Sequence, residues 1–129
     1  MSQNIILTHQ EIEHKIKRIA YQIYETFVDE EEIVLAGITK NGFVFAQKIA
    51  TALALIAPIK VSLCEVELNK HQPDLAIRTS LAKENYTDKG VVLVDDVLNS
   101  GTTLIYAVRH FLEVPLKKFK TAVLIDRNH

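Results

Sequence analysis

Apolar positions along the chain switch between two periods, and the switches mark an alternation of strands and helices. Runs of β-branched and aliphatic residues, almost unbroken by polar ones, fall at 33–36, 91–94 and 121–125. Such runs read as parallel strands covered on both faces. The stretch 59–68 alternates instead, with Ile59, Val61 and Leu63 on one side and Ser62 and Cys64 on the other, and reads as a fourth strand. Between these stretches the apolar spacing lengthens to three and four. Ile12, Ile16, Ile19, Ile23 and Phe27 line one helical stripe, opened by Thr8 and Glu11 in the pattern of a capping box. A second helix is expected over 43–57, apolar on nearly all sides and stopped by Pro58. A third is expected over 102–112, burying Leu104, Val108 and Phe111 while exposing Arg109 and His110. Strands alternating with helices in this order predict a three-layer α/β domain with a mostly parallel central sheet.

Composition narrows the function classes. At 129 residues the chain supports one core, so a single domain over 1–129 is expected. A net charge of −1 gives no general attraction to nucleic acid or to an anionic membrane, so any RNA contact has to be local. The one basic cluster near a strand, Lys117, Lys118 and Lys120, reads most simply as a solvated connector, as does the acidic turn over 29–32. No apolar stretch reaches the roughly 18 residues that span a bilayer. The N-terminus lacks the basic region of a signal peptide, so the expected location is cytoplasmic. Cys64, the only cysteine, has no internal disulfide partner and reads as a small core residue. The five histidines lack metal-ligand spacing. The apolar surplus of the 43–57 helix fits contact with a partner subunit in a homo-oligomer, or equally a place between the sheet and the N-terminal helix.

Candidate chemistry concentrates in Val91-Val-Leu-Val-Asp-Asp-Val-Leu-Asn-Ser-Gly-Thr-Thr103. A buried strand runs into two carboxylates, Asp95 and Asp96. The hydroxyl-rich turn Asn99, Ser100, Gly101, Thr102 and Thr103 follows and opens a helix. Gly101 supplies a residue free to take positive φ, and exposed N–H groups at such a helix start bind anions. A phosphate on the turn and vicinal hydroxyls on the acids would suit a sugar phosphate. Neither G-x-x-x-x-G-K-[ST] nor G-x-G-x-x-G is present. The same letters also describe a strand end, a turn and a helix cap that bind nothing. A second loop, Gly37-Ile-Thr-Lys-Asn-Gly42, leaves the 33–36 strand for the next helix with one lysine, a hydroxyl and an amide, and makes a second anion pocket at the same sheet edge.

Val-Val-Leu-Val-Asp-Asp-Val-Leu-Asn-Ser-Gly-Thr-Thr resembles the signature of the type I phosphoribosyltransferases, which bind 5-phosphoribosyl-1-diphosphate (PRPP). Within that family the chain is most similar, over most of its length, to the bacterial pyrimidine-operon regulators that double as uracil phosphoribosyltransferases. The resemblance implies that Asp95 and Asp96 hold the ribose hydroxyls, directly or through water on a Mg²⁺ ion. It implies that Asn99, Ser100, Gly101, Thr102 and Thr103 wrap the 5-phosphate. Thr39, Lys40 and Asn41 would bind diphosphate, in a loop that often carries a strained non-proline cis peptide in the family. Relatives often have Arg where Asn41 stands. The segment 69–89 would be a lid and its flanks, from which Lys70, Arg78 and Lys83 are candidates to reach the diphosphate. Similar chains continue past an Asp-Arg-x-His like Asp126-Arg-Asn-His129 into a hood over the nucleobase, so a domain without that hood is expected here, either as a fragment of a longer chain or as a shortened protein with an incomplete base pocket. In 6-oxopurine enzymes the position of Asp126 usually holds a lysine, so Asp126 points away from a purine.

Two functions follow from the resemblance. The first is transfer of the phosphoribosyl group of PRPP to a nucleobase, uracil, with release of diphosphate; Asp95, Asp96 and Lys40 carry it, with Mg²⁺ as cofactor. The second is a PRPP- or nucleotide-sensing regulatory module that binds RNA or protein with little turnover.

Overall fold

The computed structural model describes residues 7–69, 71–72, 76–98 and 101–126. Helix α1, His9–Thr26, opens with the expected capping box: the Glu11 N–H donates to the Thr8 hydroxyl at 3.1 Å and the Thr8 N–H donates to the Glu11 carboxylate at 3.2 Å. Strand β1, Glu32–Ile38, runs directly into α2, Thr39–Ala54. Strand β2 spans Lys60–Glu67, and a two-residue strand β3, Arg78–Thr79, returns beside it. A 3-10 turn, Lys83–Asn85, leads to β4, Gly90–Leu98. Helix α3, Thr102–Phe111, and strand β5, Lys118–Asp126, complete the described chain.

The sheet order is β3-β2-β1-β4-β5. β1, β2, β4 and β5 pair in parallel, and β3 is antiparallel to β2 at the outer edge. Burial on both faces explains why β1 and β4 read as unbroken apolar runs. On one face Ile33, Leu35, Val92 and Val94 pack with Ile16, Ile23, Phe45, Ile49 and Leu53 of α1 and α2. On the other, Val34, Ala36, Cys64, Val66, Val91 and Leu93 pack with Ala107 and Phe111 of α3 and with Tyr86. Each fully buried aliphatic side chain contributes about 1.5–3 kcal/mol, so these two layers, not the short β3 pairing, hold the sheet together.

Connectivity then sets the position of a crevice. From β1 the chain crosses through α2 to β2 on one side, and from β4 it crosses through α3 to β5 on the other. Right-handed crossovers in opposite directions put α2 and α3 on opposite faces, as found. The carboxyl ends of β1 and β4 therefore part at a topological switch point, where open α/β sheets receive ligands.

Several expectations are corrected. α2 begins at Thr39, four residues before the expected start, and ends at Ala54, ahead of Pro58. β5 begins at Lys118, so Lys118 and Lys120 belong to a strand. Their ammonium groups donate to the Thr26 carbonyl at 2.8 Å and the Thr26 hydroxyl at 3.2 Å, and Lys117 pairs with Glu30 at 2.9 Å. Both the basic connector and the acidic turn are thus engaged within the fold, Lys89 pairing with Glu32 as well. Near the end of the segment 69–89, expected to be a lid and its flanks, Tyr86 is fully buried and Lys83 pairs with Glu113 just beyond the C-terminal end of α3 at 3.1 Å. His110 is not on the surface. Its side chain is only 16% exposed and stands edge-on to Phe111. Among the described residues no helix is long and apolar enough to cross a membrane.

Candidate functional site

Asp95 and Asp96 lie inside β4, not in a loop after it. Pairing with β5 carries the strand past them, Val97 standing beside Ile125 and Leu98 beside Asp126. Successive strand residues point to opposite faces. Asp95 therefore shares the α3 side with Val91 and Leu93, and Asp96 the α1–α2 side with Val92 and Val94. Asp95 is 1% exposed, the one buried charged residue among those described, while Asp96 is half-buried. Each interacts with neighbouring groups. The acids straddle the strand at the switch point.

Beyond β4 the chain turns into α3 through Gly101, whose φ of 81° is the left-handed conformation that glycine adopts without strain. The Gly101 carbonyl accepts the first helical bond, from the Ile105 N–H at 2.9 Å. The N-cap residue, Gly101, makes no side-chain hydrogen bond and no acid occupies the first turn of α3, so its positive end faces the crevice, the setting in which helix starts receive anions. Asn99 and Ser100, expected to join them, lie outside the described residues.

The neighbouring helix start is built differently. Ile38 caps α2 without a side-chain hydrogen bond, and Thr39, its first residue, has φ of 60°. A β-branched residue in the left-handed region is strained, at a cost of about 1–3 kcal/mol, and such strain collects at functional sites. The peptide bonds of the described residues are all trans, so the departure from ordinary geometry here is in φ. Lys40 and Asn41 are exposed in the first turn. The two flanking glycines are required by close packing: a β-carbon at Gly37 would meet the Gly42 carbonyl and the Phe43 backbone at 2.4 Å, and one at Gly42 would meet the Val94 carbonyl at 3.1 Å. Spacing of the glycines signalled a turn; only the folded backbone shows that the first turn of α2 rests on β1 and β4.

Arg78 stands in β3 opposite Glu67, at the same carboxyl edge. It is exposed and among the described residues forms no ion pair. Lys83, a second cation considered for the diphosphate, is held by Glu113 at the opposite end of the sheet. Lys70 lies outside the described residues. No cluster of three or more His, Cys, Asp or Glu side chains capable of holding a metal occurs among the described residues. Asp95 and Asp96 are the carboxylates that β4 carries to the crevice.

A mostly parallel open sheet with two helix starts and an acid pair at its switch point defines a doubly wound α/β protein with a ligand crevice at that edge. A family model described as the phosphoribosyl transferase domain matches residues 2–129, and the chain belongs to that family of phosphoribosyltransferases. It is 33% identical over 117 residues to the bifunctional protein PyrR of Streptococcus sanguinis, covering 88% of this chain and 68% of that one. The bifunctional protein PyrR of Clostridium acetobutylicum is 33% identical over 132 residues, covering 96% and 74%. A crystal structure of a hypoxanthine-guanine phosphoribosyltransferase from Bacillus anthracis superposes with a TM-score of 0.73 at 26% identity, covering 98% of this chain and 73% of that one. The hypoxanthine phosphoribosyltransferase of Trypanosoma cruzi shares the fold with a TM-score of 0.79 at 22% identity, covering 98% and 74%.

Proposed function

We propose that the protein transfers the 5-phosphoribosyl group of PRPP to uracil, with Mg²⁺, and releases diphosphate. The observation that carries this reading is the placement of two helix starts, at Thr39 and Thr102, on either side of the strand that bears Asp95 and Asp96. Thr102, Thr103 and Gly101, with Asn99 and Ser100, bind the 5-phosphate. Thr39, Lys40 and Asn41 bind the diphosphate. Asp95 and Asp96 accept hydrogen bonds from the ribose hydroxyls between them. N1 of uracil attacks C1 as the C1–O bond to diphosphate breaks; the bonding pair leaves with the diphosphate, and the N1 proton passes to solvent. The charged transition state needs orientation and electrostatic support, which Lys40 and the α2 N–H groups provide at the departing oxygens.

The donor set suits Mg²⁺, an ion that keeps several waters and takes only one or two carboxylates together with substrate phosphates. Bound there through Asp95 and Asp96, it would neutralise charge on the diphosphate. Asp126 in place of a lysine, and the similarity to PyrR proteins, favour uracil over a purine. Exposed Val44 on α2 and exposed Leu55 at its C-cap support a homo-oligomer. Asn41, neutral at an exposed position in the diphosphate turn, favours a second reading: a PRPP or nucleotide sensor with slow turnover that acts on RNA or protein.

The test is uracil-dependent release of diphosphate from PRPP with Mg²⁺, alongside direct PRPP binding. Asp95→Asn and Asp96→Asn are each expected to lower kcat/KM by about 10- to 100-fold, the scale of a lost hydrogen bond to a charged group. Saturable PRPP binding without turnover supports the sensor. PRPP affinity unchanged in the double variant removes both readings.

A further inference from the structure

β3 pairs with β2 through only two residues, Thr79 beside Val66 and Arg78 beside Glu67. Pairing so short is marginal on its own. Yet the chain just beyond it is firmly tied. The Glu65 N–H donates to the Ser80 hydroxyl at 2.8 Å, and the Ser80 N–H donates to the Glu65 carbonyl at 2.9 Å. Ser80 thus continues the ladder with its side chain standing in for a backbone acceptor. Its own backbone is released to turn inward, the Thr79 hydroxyl bridges the corner to the Leu81 carbonyl at 2.7 Å, and Leu81 packs into the core under α3. The corner fixes where β3 meets the carboxyl edge and so where Arg78 begins.

Arg78 lies two strand spacings from the line of β1, about 10 Å from the start of α2. That distance suits a long side chain directed at an anion over Thr39 and Lys40. An exposed guanidinium without an ion pair among the described residues, at the end of a strand too short to hold itself, needs an anchor, and Ser80 is the anchor on hand.

We propose that Ser80 is a positioning residue for phosphoribosyl transfer, clamping β3 to Glu65 so that Arg78 is directed towards the diphosphate of PRPP. The proposal rests on the reading of the crevice given above. Ser80 is exposed, so its replacement leaves the core intact.

The test uses the full chain and compares wild type, Ser80→Ala, Ser80→Thr, Arg78→Ala and the Arg78→Ala/Ser80→Ala double variant. Ser80→Ala is expected to raise the KM for PRPP about tenfold with kcat within about twofold, and Ser80→Thr, which keeps the hydroxyl, to restore it. In the Arg78→Ala background, Ser80→Ala should add nothing further, because the two act as one unit. Amide exchange at Glu65 should quicken in Ser80→Ala while Tm is retained. An unchanged KM, effects that multiply in the double variant, or a Glu65 amide that stays protected overturns the proposal. A wild-type protein that does not bind PRPP removes the phosphoribosyl-transfer reading itself, whereas normal wild-type binding with a silent Ser80→Ala removes only the clamp.

Discussion

Gly42 lies against the Val94 carbonyl so closely that a β-carbon on it would stand 3.1 Å from that oxygen. The contact seats the first turn of α2 on β4 one residue before Asp95, and so ties the half of the crevice proposed for diphosphate to the half proposed for ribose. Gly37 is tighter still, with backbone atoms 2.4 Å from the same kind of probe. Backbone cannot swing aside as a side chain can. Gly37→Ala is therefore expected to destabilise the fold by about 3 kcal/mol or more. At Gly42→Ala, a helix-propensity gain of up to about 1 kcal/mol offsets the crowding, so Tm changes little. PRPP should bind more weakly there because α2 is displaced from β4. Thermal unfolding and PRPP titration of the two variants check this; a Gly37→Ala protein as stable as wild type would show that the turn is not folded back on its strand.

The left-handed φ of Thr39 gives a second expectation. Thr39→Gly relieves a strain of about 1–2 kcal/mol but frees the unfolded chain, so stability stays level or rises slightly. Affinity for diphosphate should fall, since the turn is no longer held in one shape. Calorimetric titration with diphosphate and Mg²⁺ measures it. A gain in affinity would argue that the strain does not shape the site.

Tyr86 is fully buried against Phe111, ring centroids 4.9 Å apart, and among the described residues its hydroxyl makes no well-formed hydrogen bond. The nearby Thr79 hydroxyl gives its own proton to Leu81. Burial pushes the phenol pKa up. Removing an unsatisfied oxygen while keeping the ring is expected to leave stability unchanged or raise it by about 1 kcal/mol in Tyr86→Phe. Tyr86→Ala, which opens a cavity, is expected to cost about 3–5 kcal/mol. Denaturant unfolding separates the two, and a marked loss in Tyr86→Phe would reveal a bond to the hydroxyl.

His110 predicts a pH dependence. Burial holds its pKa below the ordinary 6.5, against the pull of Glu113 and with the help of Lys83. The folded chain thus takes up this proton less readily than the unfolded chain. Stability from this group is complete above about pH 6.5 and is lost as pH falls below it, towards the lowered folded value. Glu113 and Glu32, held below 4.5 by Lys83 and Lys89, titrate in a separate and more acidic window. Wild type should lose more Tm between pH 7.5 and 5.5 than His110→Gln. Equal slopes would place the titrating group elsewhere.

The layers of the fold were legible because they depend on neighbours in sequence. Period-two and period-3.6 apolar spacing, the Thr8–Glu11 box and the glycine that permits a φ of 81° at residue 101 are properties of a few consecutive residues, and each appears in the structure. What surrounds a polar side chain is decided by segments that meet only on folding. β4 extends through Asp95 and Asp96 because β5 runs alongside it, α2 starts at Thr39 because two glycines let backbone rest on backbone, and Lys118 and Lys120 are taken by Thr26 more than ninety residues earlier. The sequence by itself determined which residues are candidates for chemistry and in what order they leave the sheet. Only the tertiary structure decided which of them share the crevice, since the opposed crossovers from β1 and β4 leave Lys40 and Arg78 at the carboxyl edge with the acids and carry Lys83 to the other end.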